Sequence, residues 1–329
     1  MAVAENVQPL APAPAPAVSF SRRGQWSDFW RRYSRNRLAV VGLFIVGIWV
    51  FMGVFAPVIA PYNYRDQNLA RAREMPSAEH WLGTDTLGRD QLSRLVWGAR
   101  TSLIVAPLAV VISFSLGLFM GALAGYRGGA FDGVIMRVVD ILLAFPAILF
   151  ALLLASSLKP RFNDLMGASP LFRDVIRSGY AEMITVIIVL GLVGWPGLAR
   201  LVRAQVLTVK NQPYVEAATA TGTSSWRTLR SHIMPNIVAP VIVVLSMAMG
   251  GAIVTEVGLS FLGLGVEPPV PSWGTMINEG YFSGLWRQPN APYTVWMPGI
   301  IVSLLVFAFA FIGDGLNEAL NPQLDRGLQ

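Results

Sequence analysis

The chain has 329 residues, of which 54% are hydrophobic and only 13% are charged, and its mean hydropathy is +0.53. This composition excludes an ordinary soluble domain and indicates an integral membrane protein. The formal net charge of +6 comes almost wholly from arginines that flank apolar segments, which argues against a nucleic-acid-binding surface. The chain has no cysteine, and its two histidines, His80 and His232, are far apart in sequence, so neither a metal site nor a bound cofactor is predicted.

The N-terminal region before the first apolar segment divides into two parts. Residues 1–24 contain an Ala-Pro repeat and are predicted to form a disordered cytoplasmic tail. Residues 25–37 place four aromatic side chains at helical spacing among arginines: Trp26, Phe29, Trp30 and Tyr33. This pattern favours an amphipathic helix on the membrane surface, although a basic flank that only orients the chain fits nearly as well.

Six apolar segments follow, and each is long enough to cross roughly 30 Å of hydrocarbon. They are about Leu38–Ala60, Thr101–Tyr126, Val134–Leu158, Met183–Leu207, Ile237–Gly263 and Thr294–Leu316. The sequence therefore predicts an all-α integral membrane protein with six transmembrane helices within residues 38–317, followed by a cytoplasmic tail, residues 318–329. Arginines clustered between Arg22 and Arg37 indicate a cytoplasmic N-terminus, and an even number of spans places the C-terminus on the same side.

The polar stretch between the fourth and fifth segments, residues 208–235, predicts two short helices. Pro213 suits a first helical turn, and Glu216 puts negative charge near the positive end of that helix. Gly222 suits the left-handed position that closes a helix. A second helix is expected to end before Pro235. Three apolar side chains of this second helix are expected to share one face: Trp226, Leu229 and Ile233.

In this stretch the order is Glu-Ala-Ala, three residues, Gly, nine residues and His-Ile-Met-Pro. It resembles the EAA loop of ABC-importer permeases, with Met234 in place of the usual Leu. In that family the loop forms a coupling helix, which sits in a groove on a cytoplasmic ATPase subunit. The resemblance implies that the ATPase-coupling residues are Tyr214, Glu216, Ala217, Ala218, Gly222, Arg227, His232 and Pro235. A plain surface connector is the alternative, but a small alanine face favours close docking.

Further blocks resemble the same family. The stretch His80–Leu103 resembles HPLGTDxxGRDxxSRxxxGARxSL, a block of the permease subunits of dipeptide, oligopeptide and nickel importers, with Trp81 in place of Pro. Other family blocks are matched by Met136–Pro146, by LSFLGLGVEPPVPSWG from Leu259 onward, and by Ile312–Asp325. The resemblance covers most of the chain. It implies the C-type permease subunit with the type I ABC importer architecture.

The resemblance also implies partners and location. The chain would form a heterodimer with a paralogous permease and would bind two cytoplasmic ATP-binding subunits, an extracytoplasmic solute-binding protein and membrane lipid. It has no GxxxxGK[ST] motif, so it is expected not to be an enzyme, and ATP and Mg²⁺ are expected on the partner ATPases. The implied location is the bacterial cytoplasmic (inner) membrane. The implied cargo is di- or oligopeptides, with nickel chelates or glutathione as alternatives.

Ionisable residues inside the apolar segments are candidate sites because charge is costly in a membrane. Arg137 and Asp140 lie three residues apart and are expected to pair on one face. Glu256 has no partner nearby in sequence, and both a cargo amine in the pathway and the partner permease are candidate contacts. A secondary transporter or channel would need paired charges near mid-membrane or internal repeats, and an intramembrane enzyme would need a nucleophile–base pair. Neither pattern is visible in the sequence.

Overall fold

A computed structural model of the chain describes residues 25–167, 179–287 and 292–320. The predicted tail 1–24, the residues 321–329 and part of the loop after the third segment lie outside the described residues. The regular structure in the described ranges is helical, and no β-strand occurs there. The prediction of an all-α membrane protein is confirmed.

The helices are numbered here in chain order. The first six are α1 (Gln25–Tyr33), α2 (Arg37–Val54), α3 (Ala56–Ile59), α4 (Gln91–Arg127), α5 (Gly129–Ala144) and α6 (Ala147–Gly167). The others are α7 (Tyr180–Lys210), α8 (Pro213–Ala220), α9 (Ser225–Thr228), α10 (Met234–Phe261), α11 (Trp273–Phe282) and α12 (Met297–Leu320). A π-helical turn, Leu229–Ile233, connects α9 to α10.

Five helical stretches in the described residues are long and apolar enough to cross a membrane, namely those built on α2, α4, α7, α10 and α12. A sixth span exists only if α5 and α6 are counted together, and this pair is bent by 95°. The third predicted segment, Val134–Leu158, is therefore not one straight helix. Pro146 explains the break, because it has no N–H to donate and it forces Phe145 into an extended conformation.

Helices α4 and α7 pack closely and run in the same direction. A Cβ atom added at Gly117 would lie 2.8 Å from the Cβ of Leu198, and one at Gly125 would lie 3.0 Å from the Cβ of Val206. Such close approach through glycine is typical of packed membrane helices. Residue numbers rise in the same direction along α4 and α7 at these contacts, so the two helices are parallel. The chain must therefore cross back from the end of α4 to the start of α7, and α5 with α6 makes that crossing. This topology agrees with six crossings.

The bundle accordingly has two ends. The loop side carries residues 61–90 and α11, and the α8 side carries α8 and the ends of α4, α7 and α12. Helix α4 begins at Gln91, ten residues before the predicted span, because Asp90 caps it by accepting a hydrogen bond from the Ser93 N–H at 2.7 Å. The expected interfacial helix and the second span are thus one helix of 37 residues, about 55 Å long.

Helix α1 is shorter than the predicted surface helix 25–37. It ends at Tyr33, and Asn36 then caps α2. The four aromatic residues do not share one environment: Tyr33 is buried against Ala39 and Ala319, whereas Trp26 is 84% exposed. Burial raises the pKa of the Tyr33 phenol, which donates a hydrogen bond to the Ala39 carbonyl oxygen. The contact orients α1 against the end of α12, which extends into the predicted C-terminal tail.

Candidate functional site

A single buried side chain packs helix α8 against the rest of the bundle. It follows α7 after a two-residue turn and begins with Pro213 in its first turn, as predicted. Among its eight residues Val215 alone is buried, at 1% exposure, and it packs in an apolar cluster with Val206 of α7 and Ile237 of α10. The remaining surface of α8 faces away from the bundle.

This outward surface contains the residues expected to bind an ATPase. Tyr214, Glu216 and Ala217 are exposed, and Ala218 is half-buried. Apart from Tyr214 and Glu216 the exposed side chains are small, which allows the backbone of a partner to approach closely. The arrangement has the geometry of a docking helix.

The end of α8 is a Schellman motif at the predicted glycine. Gly222 has φ +86°, the left-handed conformation. The Thr223 N–H donates to the Ala218 carbonyl oxygen at 3.1 Å, and the Gly222 N–H donates to the Thr219 carbonyl oxygen at 3.0 Å. Most other residues at 222 would be strained by this φ value, although among the described residues no atom beyond the two chain neighbours lies within 4 Å of an added Cβ. Gly222 therefore fixes the direction in which the chain leaves α8.

The second predicted helix does not stop before Pro235. Helix α9 has only four residues, and the chain then passes through the π-helical turn into α10, with Pro235 in the first turn of α10. Pro235 has no N–H to donate, and it lies where the chain changes from the π-helical turn to α10. The connection from α9 to the fifth span is thus an unbroken helical path from Ser225 to Phe261.

The prediction that Trp226, Leu229 and Ile233 share one face of this second helix is also wrong. Ile233 is fully buried, Leu229 is half-buried and Trp226 is 70% exposed. The π-helical turn accounts for the difference, because its extra residue breaks the 3.6-residue spacing on which the prediction depended. Arg227 is exposed and His232 is half-buried, so the outward surface continues from α8 onto α9.

Polar contacts connect the end of α7, just before α8, to its neighbours. Arg203 donates to both carboxylate oxygens of Asp132 on α5, at 2.5 and 2.6 Å. Lys210 donates to the Tyr126 carbonyl oxygen at the end of α4, at 2.7 Å. These contacts were not predicted, because residues separated by 71 and 84 positions give no local signal.

The expected pairing of Arg137 with Asp140 is wrong. Asp140 accepts a hydrogen bond from Arg200 of α7 at 2.5 Å, and Arg137 is exposed. Both side chains of the observed pair are more than half exposed. Asp140 therefore adds a second, weaker connection between α5 and α7.

Glu256 lies in the interior, and its partners belong to this chain. Its carboxylate accepts hydrogen bonds from Ser102 of α4 and from Ser260, each at 2.9 Å. The residue is fully buried, so it reaches neither a surface where cargo would pass nor one where a second permease would pack. The expectation that Glu256 lacks a nearby partner is corrected, since Ser260 is one helical turn away.

On the loop side a buried ion cluster joins residues far apart in sequence. Arg89 and Arg94 each donate to Asp85 at 2.6 Å, and both also reach Glu279 of α11, at 2.7 and 2.6 Å respectively. The local charges were visible in the sequence, but Glu279 was not identified as their partner. The cluster fixes the loop 61–90 on α11. Among the described residues, no group of three or more acidic or histidine side chains is arranged to hold a metal ion.

Comparisons with known proteins bear on these surfaces. Residues 117–326 match the family described as binding-protein-dependent transport system inner membrane component, and residues 24–76 match the N-terminal TM domain of oligopeptide transport permease C. The dipeptide transport system permease protein DppC of Bacillus subtilis (strain 168) is 37% identical over 94% of this chain and 88% of the relative.

Two other relatives are similar over nearly their whole length. The oligopeptide transport system permease protein OppC of Bacillus subtilis (strain 168) is 37% identical over 94% of this chain and 93% of the relative. The glutathione transport system permease protein GsiD of Pectobacterium atrosepticum is 38% identical over 92% and 93%. The chain therefore belongs to the family of binding-protein-dependent transport system inner membrane components, the permease subunits of ABC importers.

Proposed function

We propose that this chain is a permease subunit through which an ABC importer takes up di- or oligopeptides across the bacterial cytoplasmic membrane. The observation that carries the proposal is α8, an exposed helix of small residues mounted between two membrane spans. The names of the relatives support peptide cargo, since two are dipeptide and oligopeptide permeases and the third transports glutathione, itself a short peptide. Glutathione and nickel chelates are the alternative cargoes of the same machinery.

The proposed coupling begins with α8 in a groove of a cytoplasmic ATPase subunit. When ATP binding draws two ATPases together, α8 moves with its groove. The displacement enters the membrane along two connections, the short turn to α7 and the continuous helical path from α9 to α10. The pairing of Arg203 with Asp132 transmits it to α5, so the bent α5–α6 pair moves with α7. ATP hydrolysis belongs to the partner subunits.

The proposed orientation follows from the same feature. The α8 side faces the cytoplasm, where the ATPases are, and arginines at the start of α2 favour that side. Both ends of the chain are then cytoplasmic. The loop side faces outward and receives the solute-binding protein, and a paralogous permease completes the translocation pathway as a heterodimer.

The test is reconstitution of the whole complex. The chain is co-expressed with the second permease, ATPases and binding protein encoded beside it, and the complex is placed in proteoliposomes. Uptake of a radiolabelled dipeptide is expected to require both ATP and the binding protein, and unlabelled glutathione and a nickel–histidine chelate are compared as competitors. Uptake that follows an ion gradient without ATP would contradict the proposal and indicate a secondary transporter.

A further inference from the structure

Two neighbouring cavities on the loop side have no part in the proposed transport mechanism. One is an apolar groove of about 480 Å³ between α2 and α4, lined by side chains such as Val46, Val50, Leu103 and Ile104, with Arg100 at its loop-side end. The other is a polar cavity of about 360 Å³ beyond the end of α2, whose lining includes Asn63, Tyr64, Arg65 and Trp97. Trp97 links the two cavities, because the Arg100 guanidinium lies 5.5 Å from the centre of its ring.

Two arginines at these cavities have no carboxylate partner among the residues that the structure describes. Arg65 and Arg100 are both exposed, and among the described residues neither forms an ion pair with a carboxylate. Arg94, on the same helix as Arg100, is the opposite case, since it is 2% exposed and pairs with two carboxylates. Asp66 is the acidic residue nearest in sequence, and it lines a different cavity. Arg65 lines the polar cavity and Arg100 lines the adjoining end of the groove, so two cations lie near Trp97 and are available to an incoming anion.

The shape of the groove matches one leaflet of a bilayer. From Val46 to Val54 the groove follows α2 for about 12 Å, close to the roughly 15 Å of hydrocarbon in one leaflet. Gly53 allows α2 to approach α4, since an added Cβ would lie 3.3 Å from the Arg100 Cα. Only 17% of the α2 span is buried, against 50% of the α7 span, so α2 lies at the periphery of the bundle and the groove beside it opens outward.

We propose that these cavities form a binding site for an anionic glycerophospholipid in the leaflet on the loop side. One acyl chain lies in the α2–α4 groove, the phosphate lies at Arg100 and Trp97, and the headgroup occupies the polar cavity beside Arg65. An arginine fits this role because its guanidinium bonds phosphate through two N–H groups while its plane stacks on an indole. Trp97 lies four residues before Thr101, the predicted start of the second span, and indoles are enriched near the ends of membrane spans.

A photoactivatable lipid tests the site on the intact permease complex. Complexes are reconstituted with phosphatidylglycerol that carries a diazirine in one acyl chain, and crosslinked peptides are mapped by mass spectrometry. Wild-type labelling is expected within α2 and α4 around Val50 and Ile104. Arg100→Gln and Ile104→Trp are each expected to lower it at least five-fold, the first by removing the cation and the second by filling the groove. Arg100→Lys should retain intermediate labelling.

The matched control is Arg127→Gln. Arg127 lies at the other end of α4 and stacks on Phe131 at 5.4 Å, but it does not line the groove, so labelling should be unchanged. Equal labelling by phosphatidylethanolamine carrying the same diazirine would overturn an anionic site. Labelling that the Arg100 and Ile104 variants leave intact, or crosslinks from this groove to the partner permease in place of lipid, would overturn the site altogether. Transport is not the readout, so these outcomes are independent of the function proposed above.

Discussion

Ser102 of α4 donates a hydrogen bond to the carboxylate of Glu256 on α10, and this contact joins two spans at a fully buried point of the bundle. The same carboxylate accepts from Ser260, whose hydroxyl oxygen in turn accepts from the Val266 N–H at 3.1 Å. One side chain therefore stabilises both a contact between helices and the turn that follows α10. Buried hydroxyls of this kind depend on their acceptor, because no water replaces it.

The first prediction is that Glu256 matters for stability. Glu256→Leu leaves two serine hydroxyls without their acceptor, and the expected loss in free energy of unfolding is about 1–3 kcal/mol for each group. Glu256→Gln keeps an acceptor oxygen and should lose less. The measurement is the temperature at which the purified permease complex loses its gel-filtration peak. Full stability of Glu256→Gln together with abolished uptake would instead point to a role in transport.

The second prediction concerns the end of α8. Gly222→Val forces a β-branched residue into the left-handed region at a cost of at least about 1–2 kcal/mol, and it redirects the chain toward α9. Uptake and transport-linked ATP hydrolysis are expected to be lost while membrane insertion is normal. Gly222→Asn is the matched control, since Asn tolerates this conformation, and it should keep most of the activity.

Ala218→Trp tests the docking surface itself and should abolish uptake with α8 still folded.

The third prediction compares two ion pairs between the same two helices. The side chains of Asp132 and Arg203 are 16% and 31% exposed, whereas those of Asp140 and Arg200 are more than half exposed. Asp132→Asn is expected to cost about 1–3 kcal/mol and to reduce uptake, and Asp140→Asn less than about 1 kcal/mol. A double-mutant cycle with Arg203→Gln measures the coupling energy. Equal losses at the two aspartates would show that burial does not distinguish the pairs.

The fourth prediction is that Glu279 holds the loop 61–90 in place. Glu279→Gln removes one of the two carboxylates that neutralise a pair of buried arginines, and leaving buried charge uncompensated typically costs about 3–5 kcal/mol. Faster proteolysis of the loop is expected in the purified complex. Glu267→Gln is the control, because the Glu267 side chain is 48% exposed and pairs with Lys159 of α6, outside the loop 61–90. A loop equally resistant to protease in both variants would contradict this role.

The fifth prediction fixes the orientation. The chain has no cysteine, so single introduced cysteines can be labelled without background. Ser224→Cys, on the α8 side, should react with an impermeant maleimide only when the cytoplasmic face is accessible. Leu69→Cys, on the loop side, should react from outside intact cells. The reverse pattern would place the coupling helix away from the ATPases and overturn the proposed function.

Local sequence patterns predicted the local features of this protein well. Five of the six apolar segments form long helices, Pro213 begins α8 and Gly222 is left-handed, and each of these features depends on a few neighbouring residues. The break at Pro146 was predictable on the same grounds, because a proline inside an apolar segment removes a hydrogen bond and restricts the preceding residue.

The sequence alone could not predict the contacts between distant segments. The partner of Asp140 is 60 residues away and Glu279, one of the two partners of Arg94, is 185 residues away, so spacing rules identified charged residues without identifying these partners. Glu256 shows the same limit, since its position in the bundle decides whether it meets cargo or serine. The prediction that Trp226 shares a face with Leu229 and Ile233 was wrong for another reason, because a periodic sequence pattern does not reveal a π-helical turn.

The contact between Asn36 and Glu318 brings the two ends of the described chain together. The Asn36 side-chain amide donates to the Glu318 carboxylate at 3.0 Å, and Tyr33 lies beneath Gly315 and Ala319. The start of the first membrane span, α2, therefore lies next to the end of the last span, α12. New termini opened in an exposed part of the loop 61–90, with the old ends linked, should preserve every helix contact described above. Such a circular permutant would present its ends on the opposite face of the membrane.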